Sequence, residues 1–356
     1  MCSQNFSDKD GEFTGIPLQT MILGEAFVNE AKEYCCSGKF TLPENFNLLS
    51  LFKKFWKKKC YIYFRERNRM DGSTREVKRL EKTYLKKHVI SSLRSLFSLN
   101  EVNLLLKNRK HDLEKAEKFL RNGTAQQFGI IRDIMDGKPQ FTHRCFAEYF
   151  AAIWFTDNFR ECEELISKVL FKSRYKVTRN IFDRMLVEDS EIHGSVLNSD
   201  VHALNEILKK KIDINILDKD GRTALHLAAS YNSPCIQQLL SFPGIDSNKP
   251  DAVLKWTPLK YADRAKSWMA MDILLQNGAN PEDIVFTRQN AKAQEWGQAA
   301  LWECASKGYI KLLEFMLNCS DINIRDANNN TALHLAAQLG SVDIIILLRD
   351  KGMSVT

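Results

Sequence analysis

The sequence predicts a mainly α-helical protein in two parts: a helical N-terminal half that includes one β-hairpin, and an α-solenoid of repeats in the C-terminal half. The solenoid is predicted by a heptapeptide at 223–229, Thr-Ala-Leu-His-Leu-Ala-Ala, that returns unchanged at 331–337. The residues ahead of it repeat in the same register, since 213–216 and 321–324 both read Asp-Ile-Asn-Ile. A match of this length across helix-type and loop-type residues indicates a duplicated structural unit.

Composition places the chain among ordinary globular proteins. Its 356 residues are 44% hydrophobic and 27% charged, which suits two or three domains with real cores. No signal-peptide pattern opens the chain, and no apolar run reaches the ~18 residues of a membrane span. The nine cysteines form an odd set without a CxxC pair, which favours reduced thiols over disulfides or a zinc site. We therefore expect a cytoplasmic protein without membrane or metal partners.

Local sequence patterns predict the elements of the N-terminal half, residues 14–185, which follows a flexible N-terminus at 1–13. A helix is predicted over 14–36, where Pro17 suits the first helical position. A second helix begins near Asn45, residues 60–64 either continue it or form a short strand, and further helices are predicted over 76–97 and 110–120. Asp136-Gly137 between apolar segments predicts a hairpin, which after helices suggests a winged-helix unit. The following helix has His143 near its amino end, where backbone N–H groups favour an anion.

Two segments of this half resemble a known family. Residues 141–152, FTHRCFAEYFAA, resemble the winged-helix signature of NACHT-type signal-transduction NTPases, and residues 14–27, TGIPLQTMILGEAF, resemble the Gly-x-Pro segment of that family. The resemblance covers roughly residues 14–180. It implies that His143 meets the β-phosphate of a bound nucleotide and that Pro17 packs on the adenine. The alternatives are a helix-capping or partly buried histidine and a helix-start proline.

The chain departs from that family in one respect that bears on chemistry. No GxxxxGK[ST] sequence is present, so the chain has no phosphate-cradling loop, no lysine for the phosphates and no hydroxyl for Mg²⁺. HExxH and GxSxG patterns are missing too. We expect a non-enzymatic chain without a cofactor, ATP or ADP being expected only if it is joined to a missing P-loop half.

Positive charge is concentrated in residues 53–94. This block holds fifteen Lys and Arg against four Asp and Glu, whereas the whole chain carries +7. Aromatic residues are interleaved with the basic ones, so nucleic-acid binding is one hypothesis. The alternatives are a solvated basic face and a surface that docks to the missing ATPase half.

Residues 186–356 carry the repeats. The motif position recurs in weaker form at 257–262 and 299–305, which gives units of about 33 residues. The predicted units are 190–217 (divergent), 218–250, 251–281, 290–325 (divergent, after an insertion near 282–293) and 326–356. Period and Thr-x-Leu-His core are similar to the ankyrin repeat, a turn plus two antiparallel helices. Because an apolar helix predicted at 342–348 stands near the last residue, we expect the native protein to continue.

Each repeat motif has residues that its own structure needs. The polar pair of the motif is expected to tie a turn to its neighbour, a structural role that falls to Thr223, His226, Thr331 and His334. Gly221 and Asn329 stand where the chain is expected to turn through positive φ, which Gly and Asn tolerate.

Positions that the repeat does not need for its structure are the candidate contacts. Ankyrin-like stacks bind protein partners on a concave surface of turn tips and first helices. The candidate contact residues are Lys219, Asp220, Arg222, Tyr231, Val253, Leu254, Trp256, Tyr309, Asn328 and Asn330. The function expected is therefore a non-catalytic scaffold for a protein partner. The alternatives are a fragment of a NACHT-type signalling NTPase, whose nucleotide switch lies mostly outside this chain, and nucleic-acid binding through 53–94.

Overall fold

The computed structural model describes residues 48–70, 75–107, 109–163, 166–187, 190–210, 212–284, 300–319, 325 and 328–352. The predicted N-terminus, the helix at 14–36 with Pro17, and most of the predicted insertion lie outside these residues. The chain divides into two compact units, Met1–Met185 and Leu186–Thr356. The described residues of both units are mainly helical, as the sequence predicts.

Helices make up most of the described part of the first unit. In chain order they are α1 (Leu48–Tyr61), α2 (Arg75–Leu96), α3 (Leu99–Leu105), α4 (Lys110–Arg121), α5 (Thr124–Gln127), α6 (Arg144–Asn158) and α7 (Lys176–Leu186). Shorter helical turns lie at Ile62–Arg67, Phe159–Glu161, Ile166–Leu170 and Ser173–Tyr175. Residues 60–64 therefore continue the helix and do not form a strand, because Tyr63 and Phe64 are buried on a wide helical turn that follows α1 directly.

Aromatic side chains join α1 to α6. Phe52 stacks on Tyr149 with ring centroids 4.7 Å apart, and Phe55 stacks on Phe146 at 4.6 Å. On each helix the two rings are three residues apart, the spacing that puts side chains on one face. Leu49 is buried on the same face of α1, so Leu49, Phe52 and Phe55 form an apolar stripe, and this stripe is the face that packs.

The predicted hairpin is confirmed. Strands β1 (Ile131–Met135) and β2 (Lys138–Phe141) pair antiparallel, with a register irregularity near the start of β1. Asp136 and Gly137 join them with φ of 51° and 72°, the two positive values that a tight hairpin turn matching strand twist requires. The hairpin is followed at once by α6. A winged-helix arrangement of these elements stays a prediction.

The described part of the second unit contains five successive helix pairs. They are α8 (Glu191–Leu197) with α9 (Val201–Leu208), α10 (Ala224–Ser230) with α11 (Ile236–Leu240), α12 (Pro258–Ala265) with α13 (Trp268–Gln276), helical residues 300–307 with α14 (Ile310–Cys319), and α15 (Ala332–Gln338) with α16 (Val342–Asp350). One hydrophobic core runs from Val187 to Leu348 through all of them. Alanines such as Ala224, Ala228 and Ala229 are fully buried in it, so the first helices pack closely because their side chains are small.

Candidate functional site

The turn before α10 is held by its own carboxylate. Asp218 accepts hydrogen bonds from the backbone N–H groups of Asp220 (3.0 Å) and Arg222 (2.9 Å) and from Nε of the Arg222 guanidinium (2.9 Å). Nη2 of the same guanidinium forms an ion pair with this carboxylate at 2.8 Å. Asp220 and Arg222 are each only 3% exposed. Their expected contact with a partner is therefore wrong, because polar side chains in this turn satisfy the turn's own donors and charges.

The next turn uses the same device. The Asp251 carboxylate, buried, accepts from the backbone N–H groups of Val253 (2.8 Å), Leu254 (2.6 Å) and Trp256 (3.1 Å). Leu254 is also buried, which corrects its expected place on the partner surface, since an apolar side chain at this position packs inward. Val253 and Trp256 are half-buried and stay within reach of a partner.

In the first two repeats, a histidine connects the first helix to the following turn. The backbone N–H of Thr223 donates to Nδ1 of His226 over 3.0 Å, so the ring proton lies on Nε2, which donates to the carbonyl of Trp256 at 3.1 Å. His193 makes the same kind of bond to the carbonyl of Arg222, at 3.0 Å. Burial lowers the pKa of His226 to about 4, so the ring is neutral near pH 7. These histidines hold the stack together.

Asparagines connect the repeats a second time, beyond the second helices. Asn215 donates from Nδ2 to the carbonyl of Gly244 (2.8 Å) and accepts from the backbone N–H of Asp246 (3.2 Å). Asn248 makes the equivalent pair of bonds with the following repeat. Two rows of hydrogen bonds therefore fix the turns relative to one another, and the turns form a preorganised platform.

An aromatic and basic cluster lies on the platform at the third repeat. The guanidinium of Arg264, which is exposed, lies over the ring of Trp256 at 5.3 Å from its centroid. Tyr261 meets the same indole edge-on at 5.6 Å and is buried. Lys260 replaces the motif histidine and pairs with buried Asp263, Nζ to carboxylate oxygen 3.2 Å. The arrangement leaves the indole and the guanidinium as the groups that a partner can touch.

Comparison with known proteins agrees with this geometry. A family model described as Ankyrin repeats (3 copies) matches residues 192–285 and 282–356. The repeats are ankyrin repeats. The chain is similar to neurogenic locus notch homolog protein 1 of Homo sapiens (32% identical over 139 residues, 39% of this chain and 5% of that protein). It is also similar to putative ankyrin repeat protein L371 of Acanthamoeba polyphaga mimivirus (26% over 145 residues, 39% and 18%) and to L-asparaginase of Dirofilaria immitis (27% over 157 residues, 43% and 25%). The chain thus spans a quarter or less of these three relatives.

Other predicted contact residues in the ankyrin stack keep some exposure. Exposed or half-buried positions are Lys219, Tyr231, Val253, Trp256, Tyr309, Asn328 and Asn330. Arg264 is absent from the sequence prediction. The repeat register could have found it, because Thr257 aligns with Thr223, and Arg264 then aligns with Ser230 at the end of a first helix, one of the elements of the predicted contact surface. The second copy of the motif keeps its local bond, because the N–H of Thr331 donates to His334 Nδ1 at 3.3 Å.

In the first unit, His143 precedes α6. Its backbone is extended, with φ −140° and ψ 142°, and its side chain makes no capping hydrogen bond to the helix. The ring is half-buried and lies 6.5 Å from that of Phe146. The side chain therefore does not cap the helix. Pro17, the other residue to which the resemblance assigns a nucleotide contact, lies outside the described residues.

A polar cluster around Glu101, in the first unit, is missing from the sequence prediction. Its carboxylate, largely buried, accepts from Lys172 (3.0 Å), Arg174 (2.8 Å), Tyr175 (3.0 Å) and the Ser98 hydroxyl (2.9 Å). Burial raises its pKa, but the hydrogen bonds outweigh burial and hold the pKa at about 2. Ser98-x-x-Glu101 is a capping-box pattern at the start of α3, and that signal could have found the pair.

Two observations concern other ligands. Among the helices that the structure describes, none is both long and apolar enough to cross a membrane. His, Cys, Asp and Glu side chains in the same described ranges form no group that could hold a metal ion.

Proposed function

We propose that the ankyrin stack is a non-catalytic scaffold that binds a protein partner on its turn tips and first helices. The observation that supports this most is the Trp256–Arg264 pair, a half-buried indole under an exposed guanidinium on a platform fixed by two rows of hydrogen bonds. Trp and Arg are the residue types that most often anchor protein interfaces. A preorganised platform lowers the conformational entropy lost on binding.

The buried reactive groups of the stack support a role without chemistry. Both ring nitrogens of His226 are used in hydrogen bonds within the repeats. Burial raises the pKa of the thiols of Cys235 and Cys304, so neither is an activated nucleophile. The relative named L-asparaginase is matched over only a quarter of its length, and we do not carry an enzymatic activity over to this chain.

Affinity capture with the full chain tests this function. Wild-type protein, Trp256→Ala and a control, Met135→Ala, are each used as bait at increasing concentration, and captured proteins are quantified by mass spectrometry. Met135 is an exposed apolar residue of the first unit. We expect a protein that wild type and the Met135 variant retain saturably and that Trp256→Ala retains about tenfold less. Equal retention by all three baits would rule the surface out.

A second candidate concerns the first unit within a longer protein. The extended backbone of His143 and its lack of a capping bond at α6 leave the ring available for the phosphate contact that the NACHT resemblance implies. In a longer protein that supplies a P-loop, adenine nucleotide should raise the melting temperature, and His143→Ala should abolish that rise. A longer protein without a P-loop would end this hypothesis.

The basic block supports a third candidate, nucleic-acid binding. Tyr61 is 47% exposed, and the Lys58 ammonium and the Arg65 guanidinium lie 5.3 and 5.7 Å from its ring centroid. An exposed ring flanked by cations is the kind of group on which single-stranded bases stack. Filter binding over rising salt, with Tyr61→Ala as the variant, tests it. Retention that does not depend on salt would contradict it.

We also propose a reducing compartment, such as the cytoplasm. The cysteines whose side chains are described are free and buried: Cys60, Cys145, Cys162, Cys235 and Cys304. Proteins that keep this many reduced thiols are typical of the cytosol. Fluorescence microscopy of the tagged protein would test the location, and a secreted product would contradict it.

A further inference from the structure

We propose that the partner of the ankyrin stack is an acidic protein segment, bound across the turns and first helix of the second and third repeats. This inference rests on the function proposed above and adds the chemical class of the partner. The surface consists of Lys219, Lys255, Trp256, Arg264 and Lys266, and is called the basic patch below. All of these side chains are exposed except that of Trp256, which is half-buried.

Direct contact between two turns makes the patch continuous. Gly221, in the turn that carries Lys219, lies so close to Ala252 that a Cβ on the glycine would be 2.2 Å from the alanine Cβ and 2.9 Å from its backbone nitrogen. Ala252 belongs to the turn that carries Lys255, whose ammonium donates to the Ala252 carbonyl at 2.7 Å. The two lysines therefore stand on abutting turns.

Arg264 extends the patch from the turn to the first helix of the third repeat. Its guanidinium lies 5.3 Å from the ring centroid of Trp256, so turn and helix are joined at the indole. Lys266 follows two residues later, at the end of α12 in a left-handed conformation with φ 58°. Arg264 thus lies against the indole, and Lys255 and Lys266 are its neighbours in the same turn and at the end of the same helix.

The acidic side chains of the same turns and helix point inward. The carboxylates within 218–222, 251–256 and 258–267 are those of Asp218, Asp220, Asp251 and Asp263. Each of these four side chains is 7% exposed or less, and each is held by internal partners. Exposed acids of these repeats, such as Asp246 and Glu282, follow the second helices instead. Because the acids are buried and the bases are exposed, the surface presents net positive charge, which attracts and orients an acidic partner.

Arg264 and Trp256 together define what the partner offers. A guanidinium binds a carboxylate through two parallel N–H donors, while the indole provides apolar area for an adjoining side chain. The best ligand is therefore a segment with Asp or Glu next to a hydrophobic residue. Single-stranded nucleic acid is also anionic, but its binding uses several stacking rings in succession. Tyr261 beside Trp256 is only 2% exposed, so the basic patch itself has a single ring, that of Trp256, which favours a peptide.

Fluorescence anisotropy with the full chain tests the assignment. The probes are a short fluorescein-labelled peptide of Glu, Asp and Leu, a Lys-for-acid peptide of the same length, and a labelled single-stranded oligonucleotide. The patch variant is Lys255→Glu with Arg264→Glu. The matched control is Lys209→Glu with Lys311→Glu, which makes the same charge change at two exposed lysines outside the first helices and the turn tips. Circular dichroism checks that both double variants keep their helix content.

The expected result is binding of the acidic peptide that weakens with salt, falls about tenfold or more in the patch variant and is unchanged in the control. The Lys peptide should not bind. Preference for the oligonucleotide, equal loss in both variants, or no binding of the acidic peptide would each overturn the assignment. If Trp256→Ala fails to retain a protein that wild type captures, but the acidic peptide does not bind, the scaffold function is supported and only the proposal of an acidic partner is rejected.

Discussion

His226 donates from Nε2 to the main-chain carbonyl of Trp256, 3.1 Å away, and so connects the first helix of one ankyrin repeat to the turn of the next. The same ring accepts the N–H of Thr223 on its other nitrogen. One neutral imidazole thus bonds to backbone groups of two different turns. The carbonyl belongs to Trp256, whose indole is at the centre of the proposed binding surface, so His226 contributes both to the stability of the stack and to the position of the site.

Replacing this histidine should destabilise the stack. His226→Ala leaves the N–H of Thr223 without its ring partner, leaves the carbonyl of Trp256 with only the N–H of Asp251, and opens a cavity where the ring is fully buried. We expect a loss of about 2–4 kcal/mol in the free energy of unfolding. His334→Ala is the matched control, because His334 has the same sequence neighbours but is exposed. Its cost should stay below about 1 kcal/mol. Urea unfolding measures both, and equal costs would contradict the role of the inter-repeat bond.

Mild acid should weaken the same region. The pKa of His226 lies near 4 in the folded chain because of burial, below the ordinary 6.5. Between these two values the unfolded chain binds a proton that the folded chain does not, so stability is lost as pH falls from 6.5 to 4 and not further below 4. The loss is on the order of a few kcal/mol.

Hydrogen exchange of residues 224–240, corrected for intrinsic rates, follows this loss. His226→Gln is the diagnostic variant, since glutamine can accept and donate but does not titrate in this range. We expect the variant to show a flatter dependence on pH than wild type. An unchanged dependence would assign the acid sensitivity to another group.

Gly221 should tolerate no side chain. It has φ of +74°, and an added Cβ would collide with the Cβ and backbone of Ala252. Gly221→Ala should therefore cost about 3 kcal/mol or more. Gly244→Ala is the control, with φ of +84° and open space around the added Cβ, so it should show only the backbone cost of about 1 kcal/mol. Thermal unfolding compares them, and a similar drop in Tm for both would mean that the two turns do not abut.

Glu101 should be needed for the stability of the first unit. Glu101→Gln removes the charge that Lys172 and Arg174 share and should cost about 1–3 kcal/mol. Glu117→Gln removes a more exposed pair with Arg94 and should cost less than about 1 kcal/mol. Hydrogen exchange of residues 97–106 reports the effect. Because the hydrogen bonds hold the pKa of Glu101 at about 2, its contribution is complete above pH 4.5 and is lost as pH falls to 2. Equal protection of residues 97–106 from exchange in the two variants would contradict this role of Glu101.

Periodicity predicts the helices and turns well where local geometry dominates. The repeat register, the hairpin at Asp136-Gly137 and the positive φ of Gly221 and Asn329 follow from residue type and spacing. These features depend on steric limits within a few residues, which the sequence shows directly. The helix stripe of α1 is of the same kind, because residues three and four apart share a face whatever they pack against.

The accessible surface of the stack is less predictable. Polar side chains at a turn tip are ordinarily expected in solvent, yet Asp220 and Arg222 are buried. Their burial depends on Asp218 reaching across the turn and on the neighbouring turn covering it, and neither is visible in the residue types. The contact of the Arg264 guanidinium with Trp256, which lies in a different element, is likewise visible only in the structure.

The two identical heptapeptides show where sequence stops and tertiary structure begins. By itself the sequence determined that each heptapeptide begins a helix, and in both copies the Thr N–H at that start donates to the His ring. Only the tertiary structure decided that His226 is fully buried and bonded to the next turn while His334 is exposed. The local bond closes within three residues of the motif, whereas burial depends on what the adjacent repeat packs against it.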